Sequence, residues 1–436
     1  MTRHRLHSAI QLLTAFILIL FSTACHKDSD DVVPVVSITK PAENTFFNVN
    51  DTIEIRANVS DDKQISSIEI TLTNSEFIPV LRSYVLPVHS NPEDIYFTYP
   101  LDDKFMESGN YNILVKVSDG TNVKHKYRAV KIAGIPRKFT GLGLVTKTNN
   151  ALNIGHIDTN WNNNFLYSVP GDFSGTAYLP YHNRFVTAPY FHKTTEVYDF
   201  FLRKKEWTVE SKTPSSFPSF TGVETIGKHI FLMYYEGRIE RYDYSGRKDM
   251  TLLCSNGFQP VKIIKAGSYY IVWQKKQTQP FASKIEVYQA HTGASIQSYT
   301  VGFEIVDMFD AGDGKILIFG NDNGNGTIKI YHMEDNAFSS PHILPPGKIV
   351  CAVFTVNEEY LFVQDGDLKQ YFYKPNTLHT VKAGANFTIM KYDPVSGYLF
   401  VKNNNFCEAH TYPDLIKRHT VAISGELLDF EIIYNL

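Results

Sequence analysis

One pattern constrains this chain more than any other: a bulky, nearly unbroken apolar run returns seven times in residues 138–436. It reads Leu142-Gly143-Leu144-Val145, Phe185-Val186-Thr187-Ala188, Ile230-Phe231-Leu232-Met233-Tyr234 and Tyr270-Ile271-Val272-Trp273, then Ile316-Leu317-Ile318-Phe319, Tyr360-Leu361-Phe362-Val363 and Tyr398-Leu399-Phe400-Val401. Successive starts lie 43, 45, 40, 46, 44 and 38 residues apart. A polar turn and an alternating strand follow each run, as in Arg238-Ile239-Glu240-Arg241-Tyr242, and another strand precedes it, as in Val261-Lys262-Ile263-Ile264. Four strands per 40–45 residues is the spacing of a β-propeller blade. A second strand covered on both faces by neighbouring blades has to be apolar throughout, and this is the run that repeats. Seven such units fill the segment.

The ends predict a closed ring. Before Leu142 there is only the linker Gly134-Ile135-Pro136-Arg137, so the first unit lacks an inner strand. The C-terminus supplies one, Leu427 to Ile433, and pairing it with the first unit removes the free sheet edges that invite aggregation. Splitting one unit differently would give six or eight blades.

Residues 35–134 have another texture. Ile53-Glu54-Ile55-Arg56-Ala57-Asn58-Val59 alternates apolar and polar, Ile65 to Leu72 alternates again, and Val123 to Ile132 forms a last strand. Six or seven short strands over about a hundred residues predict an antiparallel β-sandwich. The strand and turn Tyr111-Asn112-Ile113-Leu114-Val115-Lys116-Val117-Ser118-Asp119-Gly120 resemble bacterial immunoglobulin-like and PKD-like modules. That resemblance implies a spacer, less often a ligand-binding domain. The expected fold class is all-β, an Ig-like β-sandwich followed by a seven-bladed β-propeller.

The N-terminus reads as an export signal. Arg3 and Arg5 precede an apolar run from Leu12 to Phe21, then Ser22-Thr23-Ala24-Cys25. About ten apolar residues are too few to span a bilayer, and the order is that of a secretory signal peptide. The terminal Cys makes residues 1–24 resemble a bacterial lipoprotein signal, which implies lipid attachment (palmitate among the acyl groups) at Cys25. Ser22 departs from the usual Leu, so cleavage after Ala24 as an ordinary secreted protein is the alternative. Residues 25–34 read as an acidic tether, and His26-Lys27-Asp28-Ser29-Asp30-Asp31 resembles the export signal of surface-displayed Bacteroidota lipoproteins. The location this implies is the outer membrane, lipid-anchored and surface-exposed, with the periplasmic face as the alternative.

Lys and Arg (42) nearly balance Asp and Glu (45), giving a net charge of −3 and no bulk attraction to nucleic acid. Beyond Cys25 only Cys254, Cys351 and Cys407 remain, an odd, unpatterned set that predicts free buried thiols, with neither a disulfide framework nor a metal site. No HExxH, GxSxG or Walker loop is present. The regular Trp-Asp endings of WD40 blades are also missing, although blade length resembles the WD40/YVTN-like superfamily. No cofactor, metal or catalytic residue is therefore assigned. Asn321-Asp322-Asn323-Gly324-Asn325-Gly326 is oxygen-rich, but it lacks the Glu that completes an EF-hand and reads equally as a turn.

In a propeller, the loop between second and third strands and the loop between blades share one face. Mapping them there collects Tyr190, His192, Tyr235, Trp273 with Lys275 and Lys276, Asp322, Asp365 and Asn404, with Asp172, Phe173, Phe217 and Phe258 from the inter-blade loops. Rings beside amides and carboxylates suit sugars. Trp273 reads as either core or ligand platform, and Phe173, Phe217 and Phe258 are expected to pack between blades. The whole layout resembles Bacteroidota surface lipoproteins that join such a spacer to a propeller. This implies non-catalytic capture of glycan or glycoprotein for a nutrient-uptake system, with lipid as partner through Cys25. The alternatives are a protein scaffold for an outer-membrane transporter complex and a polysaccharide lyase or hydrolase with acidic residues in the central funnel.

Overall fold

The computed structural model describes residues 30–148, 151–278 and 282–435. The export segment 1–24, Cys25 and the first part of the tether lie outside the described residues. Contacts divide the chain between Pro136 and Arg137 into two compact units.

The first unit is a sandwich of eight strands: β1 (Val35–Lys40), β2 (Thr45–Asn48), β3 (Thr52–Ser60), β4 (Ser67–Thr73), β5 (Tyr84–Leu86), β6 (Glu93–Pro100), β7 (Gly109–Ser118) and β8 (Val123–Ala133). One sheet has the order β1-β3-β6, the other β2-β8-β7-β4-β5. Strict alternation does its expected work: Ile53, Ile55, Ala57 and Val59 of β3 are buried while their neighbours face water. They meet Ile68, Ile70, Ile113 and Val115 of the facing sheet in one core. The sandwich is not wholly antiparallel, because β2 runs parallel to β8. Pro41, which has no N–H to offer a ladder, ends β1, and the chain crosses there to the other sheet. The last residues of the expected tether are not free either. The Asn122 amide donates to the carbonyls of Asp30 (2.8 Å) and Val32 (3.0 Å), and Pro34 is buried.

The second unit is seven four-stranded antiparallel sheets. The innermost strands are Glu426–Tyr434 for blade one and Gly175–Leu179, Phe220–Ile226, Phe258–Ala266, Glu304–Asp310, Ile349–Phe354 and Phe387–Asp393 for blades two to seven. Each contacts the next around a ring, and the last returns to Glu426–Tyr434, which also touches Gly175–Leu179. Blade one takes its other strands from the N-terminal side, Phe139–Thr148, Ala151–Asp158 and Asn163–Pro170, and the C-terminal strand pairs with the first of these from Lys147 to Phe139. The closure is the one read from the sequence. Every second strand is one of the repeated runs, and Ile230 to Tyr234 shows why: all five side chains are sealed between blades.

One regularity gives no sequence signal. The innermost strands of blades one and three to seven share a register shift near their start, between Leu427 and Asp429, Phe220 and Gly222, Pro260 and Lys262, Ile305 and Asp307, Ile349 and Cys351, and Phe387 and Ile389. A bulge inserts one residue and turns every later side chain to the other face. It sets what lines the central channel.

Candidate binding face of the propeller

Blade four illustrates how the rim is held. Its second strand, Tyr269–Lys276, carries near its end Gln274, which is fully buried. The Gln274 side-chain oxygen accepts from the Ser255 N–H (3.0 Å), and its amide donates to Glu286 (2.7 Å). Asn321 plays the same part in blade five, accepting from Ile349 N–H (2.8 Å) and donating to its carbonyl (3.0 Å). In blade six Gln364 donates to the Pro345 and Gly347 carbonyls. In these three blades buried amides therefore clamp the neighbouring inter-blade segment to the end of a second strand, so these loops are built on fixed ends.

Blades two and three carry aromatic rings on the same rim. Asp172 accepts backbone N–H bonds from Tyr190 (3.0 Å), Phe191 (2.7 Å) and His192 (3.2 Å) and so fixes the Tyr190 loop. Buried Ser219 receives the Tyr235 N–H on its carbonyl (3.2 Å) and donates its own N–H to the Tyr190 carbonyl (2.6 Å). The Gln277 amide donates to the Tyr235 carbonyl, stitching blade four to blade three. Partial burial raises the Tyr190 phenol above its ordinary pKa.

Between these loops opens a cavity of about 730 Å³, lined by Tyr190 and Tyr235 together with Gln259, Lys275, Lys276, Gln277, Asn321 and Asn323. Phe303 and Glu304 complete the wall between blades four and five. The expected face thus contains a ligand-sized cavity, and Tyr190 and Tyr235 both reach it.

The other expected residues fall elsewhere. Trp273 is a core residue, 7% exposed, packed among Ile271, Ile285 and Ile305, with its indole N–H toward the Ser283 hydroxyl (3.4 Å). It lies on the ladder opposite Ile285 and Lys262, so it is enclosed within the sheet packing and the platform reading is corrected. Phe217 departs in the opposite sense. Expected between blades, it is 52% exposed and lies 6.5 Å from Tyr235 with the ring planes 28° apart. Phe191, 53% exposed, packs edge-on against Tyr190 at 4.8 Å. The exposed platform is therefore Phe191 and Phe217 beside the two tyrosines. Phe173 packs into the core between blades one and two as expected.

His192 lines a separate crevice with Asp172 of about 10 Å³, room for one water. Asp322, Asp365 and Asn404 sit at hairpin tips of blades five, six and seven and do not line the cavity. Asp365 and Asn404 have positive φ, as does Asn323 beside Asp322. Asp and Asn tolerate that conformation in two-residue hairpins, which accounts for these residue types without a ligand. The Asn321–Gly326 segment is such a hairpin, with Asp322 paired to Asn325 across Asn323-Gly324.

A charged cluster escaped the sequence reading. The post-bulge positions place Lys262, Asp307 and Asp429 at one level of the channel and Glu224, Lys391 and Glu431 two residues further on. Lys262 pairs with Asp307, and Lys391 pairs with Asp429 (3.3 Å) and Glu431 (2.8 Å), bridging blade seven to the closing strand. Burial raises the pKa of Glu224 against the pull of Lys262 and Lys391, and that of Glu431 despite its lysine. Three of the four carboxylates are thus engaged by lysines. The three thiols are free, and burial pushes each up to about 12. Among the described residues, the one group of three acidic side chains close enough to share an ion is Asp30, Asp61 and Asp62 in the sandwich.

Comparison with known proteins bears on the sandwich first. Residues 34–115 match the bacterial Ig domain. The N-terminal unit carries that domain. No curated protein matches the sequence. Among solved structures, the chain is similar to a quinonprotein alcohol dehydrogenase-like protein from Bacteroides thetaiotaomicron at 11% identity, covering 93% of this chain and 100% of that one, with a TM-score of 0.45. It is also similar to BamB from Moraxella catarrhalis, at 8% identity, 67% and 92% coverage and a TM-score of 0.41. The propeller assignment rests on the seven sheets and their ring.

Proposed function

We propose that this chain is a lipid-anchored, non-catalytic binding protein of the outer-membrane surface that captures glycan or glycoprotein for a nutrient-uptake system. The anchor would be Cys25, the Ig-like domain the spacer and the propeller face the binding element. One observation carries the reading: the 730 Å³ cavity lined by Tyr190, Tyr235 and several amide side chains. Flat rings cover the C–H faces of sugars while amides and hydroxyls take their OH groups, and side chains of these kinds line that cavity. The loops are clamped in advance, so little ordering entropy opposes binding.

The test is affinity electrophoresis of the chain from residue 26 through gels carrying individual polysaccharides. Retardation by at least one, weakened by Tyr235→Ala, is expected. A chain that passes every polysaccharide unretarded overturns the reading. The exposed rings Phe191 and Phe217 favour a second reading, an interaction scaffold for an outer-membrane complex, since such rings are typical interface anchors. A pull-down from solubilised outer membrane that depends on Phe217, with no glycan bound, would establish it instead.

A further inference from the structure

We infer that the occupant of this cavity is an anionic polysaccharide, with its carboxylate or sulfate groups received by Lys275 and Lys276. The inference deepens the glycan-capture reading and rests on it. Lys275 and Lys276 close the second strand of blade four, adjacent in sequence and both on the cavity wall. Several partly buried cations of this propeller are matched by carboxylates, Lys262 to Asp307, Lys391 to Asp429 and Glu431, Arg241 to Asp249, while buried Lys369 donates to the Gln364 side-chain oxygen. Neither Lys275 nor Lys276 has an ion-pair partner among the described residues. Lys275 instead places its ammonium 5.7 Å from the centroid of the Trp273 ring, a contact that orients a cation without neutralising it.

The one carboxylate on the wall is Glu304, and it is exposed. A chain of net charge −3 therefore turns a locally cationic wall toward this cavity. Two adjacent like charges repel, and the arrangement becomes favourable once an anion lies between or across them. One polar atom beside them is uncommitted as well. Gln259, also on the wall, has a side-chain oxygen with no hydrogen-bond partner, and Asn323 is exposed. Tyr190 and Tyr235 line the same cavity. A neutral sugar would use the rings and amides and leave both ammonium groups unanswered. A uronic acid or sulfated sugar uses all of them.

The experiment runs the chain from residue 26 against polygalacturonate and alginate (carboxylated), chondroitin sulfate (sulfated), laminarin, xylan and mannan (neutral), and poly-glutamate. It is repeated with Lys275→Gln/Lys276→Gln and, as a control, Lys265→Gln, an exposed lysine that does not line the cavity. Tryptophan fluorescence confirms that each variant is folded. Binding to an acidic polysaccharide is expected, weakened about tenfold for each lysine removed, roughly the worth of a hydrogen bond to a charged group. It should also weaken in 0.5 M salt and be unchanged in the control. The carboxylated and sulfated arms decide which group is received. Binding confined to neutral polysaccharides, indifferent to the double substitution, overturns the anionic assignment and leaves glycan capture standing. Poly-glutamate bound as well as polygalacturonate overturns the sugar. No binding to any polysaccharide overturns both.

Discussion

Glu240 offers a sharp test of how the ring rim is held. It lies on the third strand of blade three, its side chain 10% exposed, five residues beyond Tyr235. Its carboxylate accepts from the hydroxyls of Tyr234 (2.7 Å) and Tyr242, the Lys248 ammonium (3.0 Å) and the Arg238 guanidinium (3.2 Å). Burial alone would raise this carboxyl, but the hydrogen bonds from Tyr242, Tyr234 and Lys248 outweigh it and hold it at about 2. A folded-state value below the ordinary 4.5 means stability that is complete above pH 4.5 and lost as pH falls toward 2. The lowering corresponds to a ceiling of about 3 kcal/mol. Glu240→Gln keeps the shape, removes the charge and turns an NH2 group toward donors. It should therefore cost about 2–3 kcal/mol at pH 7, in keeping with the upper cost of stranding buried partners. The difference from wild type should shrink by about 1.4 kcal/mol at pH 3.5, because each pH unit below 4.5 releases that much. Urea titrations followed by tryptophan fluorescence measure it, and Trp161, Trp207 and Trp273 all lie in the propeller, so the sandwich is silent. A cost under 0.5 kcal/mol at pH 7, or one that stays constant down to pH 3.5, would refute the argument.

Three further outcomes are expected. Trp273→Ala should destabilise the propeller by about 3–5 kcal/mol in the same titration, as removal of a large buried ring does; an unchanged midpoint would return Trp273 to the surface. Asp172→Ala should cost about 2 kcal/mol and weaken glycan retardation together, because three backbone N–H groups of the Tyr190 loop lose their charged acceptor; full retardation would show that Tyr190 needs no positioning. Ending the chain at Gly425 removes buried Leu427, Phe430 and Ile433 and leaves blade one with three strands. Cooperative tryptophan-detected unfolding should then disappear, and a persistent wild-type transition would mean that the ring does not depend on its last strand.

What the sequence made legible follows from where burial is uniform. Tyr360-Leu361-Phe362-Val363 can be read as a second strand because both of its faces are enclosed, whatever the register. The closing strand is legible for a related reason, since blade one has no other source of an inner strand. Rim side chains are different. Whether an aromatic at a strand end points inward or out depends on a single residue of register, and nothing in Trp273 or Phe217 themselves states it. Trp273, which reads as either core or platform, lies in the core, while Phe217, expected between blades, is exposed beside Tyr235.

The channel makes the same point with charge. Val261-Lys262-Ile263-Ile264 and Leu428-Asp429-Phe430-Glu431 look like ordinary alternating strands with their polar side toward water. The bulge after Pro260 and Leu427 reassigns that side to the axis of the ring, where a charge is withdrawn from bulk water and gains from a partner. Partners come from other blades: Asp307 for Lys262, Asp429 and Glu431 for Lys391. The closing strand is therefore held twice, by the ladder that pairs it with Phe139–Thr148 and by two carboxylates that reach across to blade seven. Both attachments converge on residues 426–434, and a propeller closed this way presents the cavity lined by blades two to five on a ring in which every blade has its inner strand.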